Sequence, residues 1–140
     1  NEFLYKNKSF PFNSLFFKKT SGFFLQNYKN IKIGEKIQLI DKKSENDIDI
    51  KDKSIVSFIK FVHLEEIIIN NSNACELNFL ANKYQIQALI DNTRKYILNE
   101  KIKENNLYLK TKTLVYQNRF GKASNNVIKL SLAWISRGVL

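Results

Sequence analysis

Hydrophobic and polar positions change period several times along the chain, and each change predicts an element. Phe3-Leu4-Tyr5-Lys6 and Ser9-Phe10-Pro11-Phe12 are short aromatic-rich runs around Asn7-Lys8, the pattern of a small hairpin. Pro11 lacks a backbone donor, which places the second strand at an edge or near its end. Asn13 or Ser14 then caps a helix with Leu15, Phe16 and Phe17 on its apolar side. Thr20-Ser21-Gly22 breaks that helix and caps a second short one through Phe23, Phe24 and Leu25. Residues 36–40 alternate at period two and read as a strand, and residues 41–49 form a charged loop.

From Ile50 the period lengthens. Ile55, Phe58, Ile59 and Val62 fall at i, i+3, i+4 and i+7, one stripe of a helix whose other face carries Lys51, Asp52, Lys53 and Lys60. Residues 65–70 are a β-branched run that predicts a short strand. Asn71 to Asn73 then cap a helix with Ala74, Leu77, Leu80, Ala81 and Tyr84 on one face. A further helix starts near Gln87, turns Leu89, Ile90, Thr93 and Ile97 inward, and ends where the apolar period fails in residues 99–106. Beyond it the signals weaken: residues 107–116 alternate loosely as a strand would, and residues 127–135 suit a helix capped by Ser124.

Charge changes the picture of domain organisation. The 140 residues carry 23 Lys plus Arg against 13 Asp plus Glu, a net +10. Residues 1–40 hold +5, residues 41–100 hold −2 and residues 101–140 hold +7, so a near-neutral body bears a basic tail. The expected organisation is a domain over residues 1–100 and a basic extension over 101–140. The length suits one hydrophobic core, and 44% hydrophobic residues with 4 Gly and 1 Pro exclude a disordered or collagen-like chain. No stretch approaches the ~18 consecutive apolar residues of a membrane span. The stretch NEFLYKNKSF is too polar for a signal peptide's apolar region. One cysteine, Cys75, excludes a disulfide within the chain and fits an intracellular setting, cytoplasmic or nuclear.

The order hairpin, two short helices, strand, long helix, short strand, helix, helix accompanies a residue pattern. Residues 10–24, Phe-Pro-Phe-Asn-Ser-Leu-Phe-Phe-Lys-Lys-Thr-Ser-Gly-Phe-Phe, resemble the BTB/POZ signature F-x-A-H-K-x-V-L-A-A-x-S-x-Y-F. Phe10, Phe16-Phe17, Ser21 and Phe23-Phe24 match at the family's spacing. Asn13 and Ser14 replace its His-Lys pair, and Lys18-Lys19 replace small residues. Downstream, Ile55 to Val62, Ile67-Ile68-Ile69 with Asn70 and Asn73, Leu77 to Ala81, Leu89 and Tyr96-Ile97 are similar to the family's second half, so the resemblance spans about residues 3–100.

The resemblance implies an α+β fold in which a small mixed sheet of short strands packs against about five or six helices. It also implies a protein-interaction module that self-associates or serves as an adaptor holding a cullin scaffold of a ubiquitin ligase. Family dimers often exchange an N-terminal helix and strand; self-association of this chain is expected to involve Phe3, Leu4 and Tyr5 of the hairpin. Cullin-binding members carry a hydrophobic-x-Glu element before the third strand, and Ile33-Gly34-Glu35 has that form, which makes Ile33 and Glu35 the expected partner-binding residues.

Catalytic chemistry is thin. His63 is the only histidine, so no two-histidine metal site can form, and Cys75 beside Ala74 suits a small buried thiol. Adjacent Glu65 and Glu66 in an extended run point to opposite faces, and the four glycines form no phosphate-binding loop. The chain is expected to be no enzyme and to take no cofactor, metal, membrane or small-molecule substrate. The alternative reading gives the basic tail a nucleic acid or an acidic protein surface through Lys110, Lys112, Arg119 and Lys122, interleaved with Tyr108, Tyr116, Phe120 and Trp134. The remaining aromatic stripe, from Phe10 to Phe24, is expected to be core.

Overall fold

A two-residue turn at Lys6-Asn7 sets the register of the sheet. Both residues have positive φ, 48° and 63°, the backbone of the primed hairpin turn whose twist matches its strands. The turn sits one residue earlier than the pattern around Asn7-Lys8 suggests. The reason is pairing: this register sets Phe3 opposite Phe10, whereas a turn at Asn7-Lys8 would have opposed Phe3 to Phe12. The structure, a computed structural model, describes residues 1–40 and 49–99. It is an α+β protein of two compact units, Asn1–Ile67 and the residues from Ile68 onward. The domain boundary expected near residue 100, the tail strand and helix, and Lys110, Lys112, Arg119 and Lys122 lie outside the described residues, as does most of the 41–49 loop.

In the first unit, β1 (Glu2–Tyr5) pairs antiparallel with β2 (Lys8–Pro11) and parallel with β3 (Lys36–Gln38), giving the order β2-β1-β3. Phe10, Phe3 and Ile37 line up across the three strands and are all buried, so this row defines the inner face. The third strand is shorter than the 36–40 alternation predicts. Leu39 still donates to the Leu4 carbonyl at 3.0 Å before the chain leaves the sheet.

The helices α1 (Ser14–Thr20) and α2 (Gly22–Asn27) cross over between β2 and β3. Asn13 caps α1, its side chain accepting from the Leu15 N–H at 2.9 Å. Ser21 closes α1 through its own N–H, which donates to the Phe17 carbonyl, and opens α2 by accepting from the Phe24 N–H at 2.9 Å. Phe17 and Phe24 point inward, and their rings meet Phe12 at 5.2 and 5.7 Å. Phe3 stacks on Phe12 at 4.1 Å and meets the Phe17 ring edge-on at 5.1 Å. The helix α3 (Asp52–Val62) adds Phe58, 5.7 Å from Phe17, and buries Ile55 and Val62 on the expected stripe.

His63 closes α3 and ties it to the start of α1. Its Nδ1 donates to the Ile59 carbonyl at 2.7 Å, which leaves Nε2 to accept from the Asn13 N–H at 2.9 Å. Leu64 then takes φ 64°, while the Leu64 N–H donates to Phe61 and the Glu65 N–H to Lys60. These paired bonds are the Schellman closure, in which the left-handed residue is usually glycine. The expected strand at 65–70 does not form among the described residues. Glu65, Glu66 and Ile68 are exposed, and no neighbouring strand takes up their backbone groups. β-Branched composition favours a strand only where a partner strand exists.

In the second unit α4 (Ala74–Tyr84) packs on α5 (Gln87–Asn99). Asn70 and Asn73 shape the entry to α4: Asn73 accepts from the Asn70 N–H at 2.8 Å and donates to the Ile68 carbonyl at 2.8 Å. The helix α4 is buried nearly all round, Cys75 and Glu76 included. Inside the pair, Asn78 donates to the Thr93 hydroxyl at 2.9 Å, and that hydroxyl donates to the Leu89 carbonyl at 2.8 Å. Asn82 donates to the Asn78 carbonyl at 2.8 Å, extending the buried network. Leu89, Ile90, Thr93 and Ile97 face inward as their spacing predicts.

Gln85 ends α4 as Leu64 follows α3, at φ 56° with the Ile86 N–H bonded to Ala81 and its own N–H to Asn82. Both side chains are exposed, so glycine would relieve the left-handed strain without opening a cavity. Leu64→Gly and Gln85→Gly are each expected to raise stability by about 0.5–1 kcal/mol, read as a higher urea midpoint. A lower midpoint would mean that these side chains hold the structure through contacts.

Candidate interaction surface

The chain between α2 and β3 is built on an aromatic anchor. Tyr28 follows α2, with its ring 5.1 Å from Phe24 and 6.4 Å from Phe23. Burial pushes its phenol pKa above the ordinary tyrosine range. Its carbonyl accepts from the Ile31 N–H at 3.2 Å, which starts the connection in a fixed direction.

Lys32-Ile33-Gly34-Glu35 then forms a tight turn closed by the Glu35 N–H, which donates to the Lys32 carbonyl at 3.1 Å. Gly34 holds φ 90° at the third position, the conformation that a type II turn demands and that side chains resist. Ile33, at the second position, is the most exposed large apolar residue described, at 101% of its reference surface. The side-chain amide of Asn1 donates to the carbonyls of both Lys32 and Glu35, at 2.8 and 3.0 Å. Asn1 is itself held in place because its carbonyl accepts from Phe12 at 2.9 Å. The turn is therefore pinned to the sheet at both of its ends, and it presents an apolar side chain to solvent.

Glu35 is exposed beside Ile33, so the structure brings the two expected partner-binding residues together on one turn. Lys29, Lys32 and Lys36 are exposed along the same segment, and among the described residues no ion pair holds any of them. The hairpin tip differs. Lys6 is paired with Asp49 and Lys8 with Asp52, while the Tyr5 hydroxyl accepts from the Ile50 N–H at 3.1 Å. The hydrogen bond to Asp49 holds the Lys6 ammonium pKa above the usual lysine range. These contacts seat the start of α3 against the hairpin. A groove of about 350 Å³ is formed by the hairpin and β3, lined by Leu4, Tyr5, Lys8, Ser9 and Lys36 among others.

The three residues expected to mediate self-association are separated by the pleat. Phe3 is fully buried in the aromatic cluster and offers no surface. Tyr5 is half-buried and engaged with Ile50. Leu4 faces outward, flanked across the strands by Ser9 and Gln38. β1 is also the central strand, so among the described residues the edges of this sheet are β2 and β3. Sequence reasoning passed over Asn1, whose amide forms the clamp, and Gly34, whose position after an apolar residue was a legible type II turn signal.

Among the described residues no helix is long and apolar enough to cross a membrane, and no group of three or more His, Cys, Asp or Glu residues gathers as metal ligands would. No family model, curated protein or solved structure matches the chain.

The clamp makes a prediction of its own. Asn1→Ala removes both bonds to the turn while leaving the exposed side chains unchanged, so hydrogen exchange at the Glu35 amide should accelerate by about tenfold, the equivalent of about 1.4 kcal/mol. Unchanged exchange would show that the turn holds its shape without Asn1.

Proposed function

We propose that this chain is a BTB/POZ-like interaction module that carries no catalysis of its own and acts as an adaptor for a cullin-type ubiquitin ligase scaffold. One observation carries the reading: a rigid turn directly before β3 exposes Ile33 fully and sets Glu35 beside it. The element order supports it, with a hairpin, two short capped helices and a third strand parallel to the first. The residues of the family-like stretch at 10–24 supply the inner aromatic contacts through Phe12, Phe17 and Phe24. An apolar anchor with an adjacent charge on a preformed turn is the kind of feature that concentrates binding energy at protein interfaces.

Glu35→Lys reverses a charge on the turn without touching the core. It is expected to weaken binding to a purified cullin N-terminal domain by at least about tenfold, or about 1.4 kcal/mol, in a pull-down followed by titration. Binding unchanged by the reversal would remove Glu35 from the interface.

Self-association is the companion reading, and the geometry shifts it from Phe3 to the outward face around Leu4 and the open edge of β2. Light scattering is expected to give twice the 16.4 kDa chain mass. Leu4→Asp is expected to return it to a single chain. A mass that stays at one chain across all concentrations rules this reading out.

A further inference from the structure

We propose that the turn at residues 32–35 docks in an apolar pocket whose rim on the partner is acidic, with Ile33 as the anchor and Lys29, Lys32 and Lys36 steering the approach. This rests on the adaptor reading and specifies the chemistry of the face that the partner must present. The three lysines lie within eight residues around a fully exposed isoleucine, and Glu35 is the one acid among them. Among the described residues no ion pair engages them, in contrast to Lys6 and Lys8, whose charges are taken up by Asp49 and Asp52. Lysines outnumber acids here even with Glu35 in the turn and Glu2 opposite Lys36 in the sheet, and an acidic rim on the partner rewards that excess on approach.

An anionic bilayer shares the sign of charge but fits less well. One apolar side chain with three lysines is a single weak membrane signal, and stable attachment takes two. A turn already fixed by Gly34 and by the Asn1 clamp gains most from a shaped pocket, because its ordering is complete before binding. A fluid interface rewards no particular backbone shape.

The roles divide by kinetics. Rim charges act at a distance and set the association rate, whereas a buried anchor acts after contact and sets the dissociation rate. Surface plasmon resonance of the whole chain against the cullin N-terminal domain tests this. The triple variant Lys29→Glu, Lys32→Glu, Lys36→Glu is expected to associate at least about tenfold more slowly at about 20 mM salt, with the difference gone at about 500 mM. Ile33→Asp is expected to speed dissociation at least about tenfold at either salt. Glu35→Lys adds to the lysine charge, so its loss of affinity should fall on dissociation while association is equal or faster. All five positions are exposed, and unchanged circular dichroism verifies the fold of each variant. Association indifferent to the lysine reversals, with binding intact, overturns the acidic rim and leaves the adaptor reading standing. Absence of cullin binding removes both. Binding to phosphatidylserine vesicles that is lost in the same variants assigns the turn to a lipid surface and overturns the proposal.

Discussion

The aromatic cluster centred on Phe17 is the contact on which the first unit depends. Phe3 from β1, Phe12 from the end of the hairpin, Phe24 from α2 and Phe58 from α3 all place their rings within 6 Å of it. Each buried ring contributes roughly 2–3 kcal/mol of apolar transfer, and each favourable ring pair about 0.5–1.5 kcal/mol beyond that. Three strands of three or four residues could not hold a sheet by pairing alone. Packing against these helices compensates for that, and it makes the short elements mutually dependent.

Local capping then determines where each helix points. Asn13 and Ser21 supply side-chain oxygens to orphan N–H groups, so α1 and α2 start and stop within one or two residues of fixed positions. His63 links the two ends of the helical layer through both ring nitrogens, and Phe16 stacks on its imidazole at 5.0 Å. In the second unit a different device operates. Asn78 bonds Thr93 across the helix pair and is itself bonded by Asn82, all three buried, and this polar bond between α4 and α5 favours the register that satisfies it.

The surface turn draws on the same core. Tyr28 is seated on Phe24, the chain passes from it into the turn, and the sheet returns to clamp that turn through Asn1. The exposure of Ile33 is thus a product of rigid surroundings. Lysine charge along the segment that carries this anchor, engaged in no ion pair among the described residues, gives the surface an electrostatic sign as well as a shape.

Much of the fold was legible in the sequence because it is locally encoded. The 3.6-residue stripe in α3, the Ser21 break between two short helices, and the inward set Leu89, Ile90, Thr93 and Ile97 each follow from spacing and capping chemistry. Of the surface, Ile33 and Glu35 were singled out only through family resemblance, and the turn that exposes both rests on Gly34, a local signal. Tertiary structure decided whatever required a distant partner. The hairpin turn moved by one residue because Phe3 opposes Phe10, and the run at 65–70 formed no strand because none of the described strands lies beside it. Phe3 was withdrawn from the surface because β1 lies between β2 and β3 with its apolar side against the helices. Periodicity specifies which faces are apolar, but which of those faces meet, and which side chain is left in water, is determined by contacts between residues far apart in the chain.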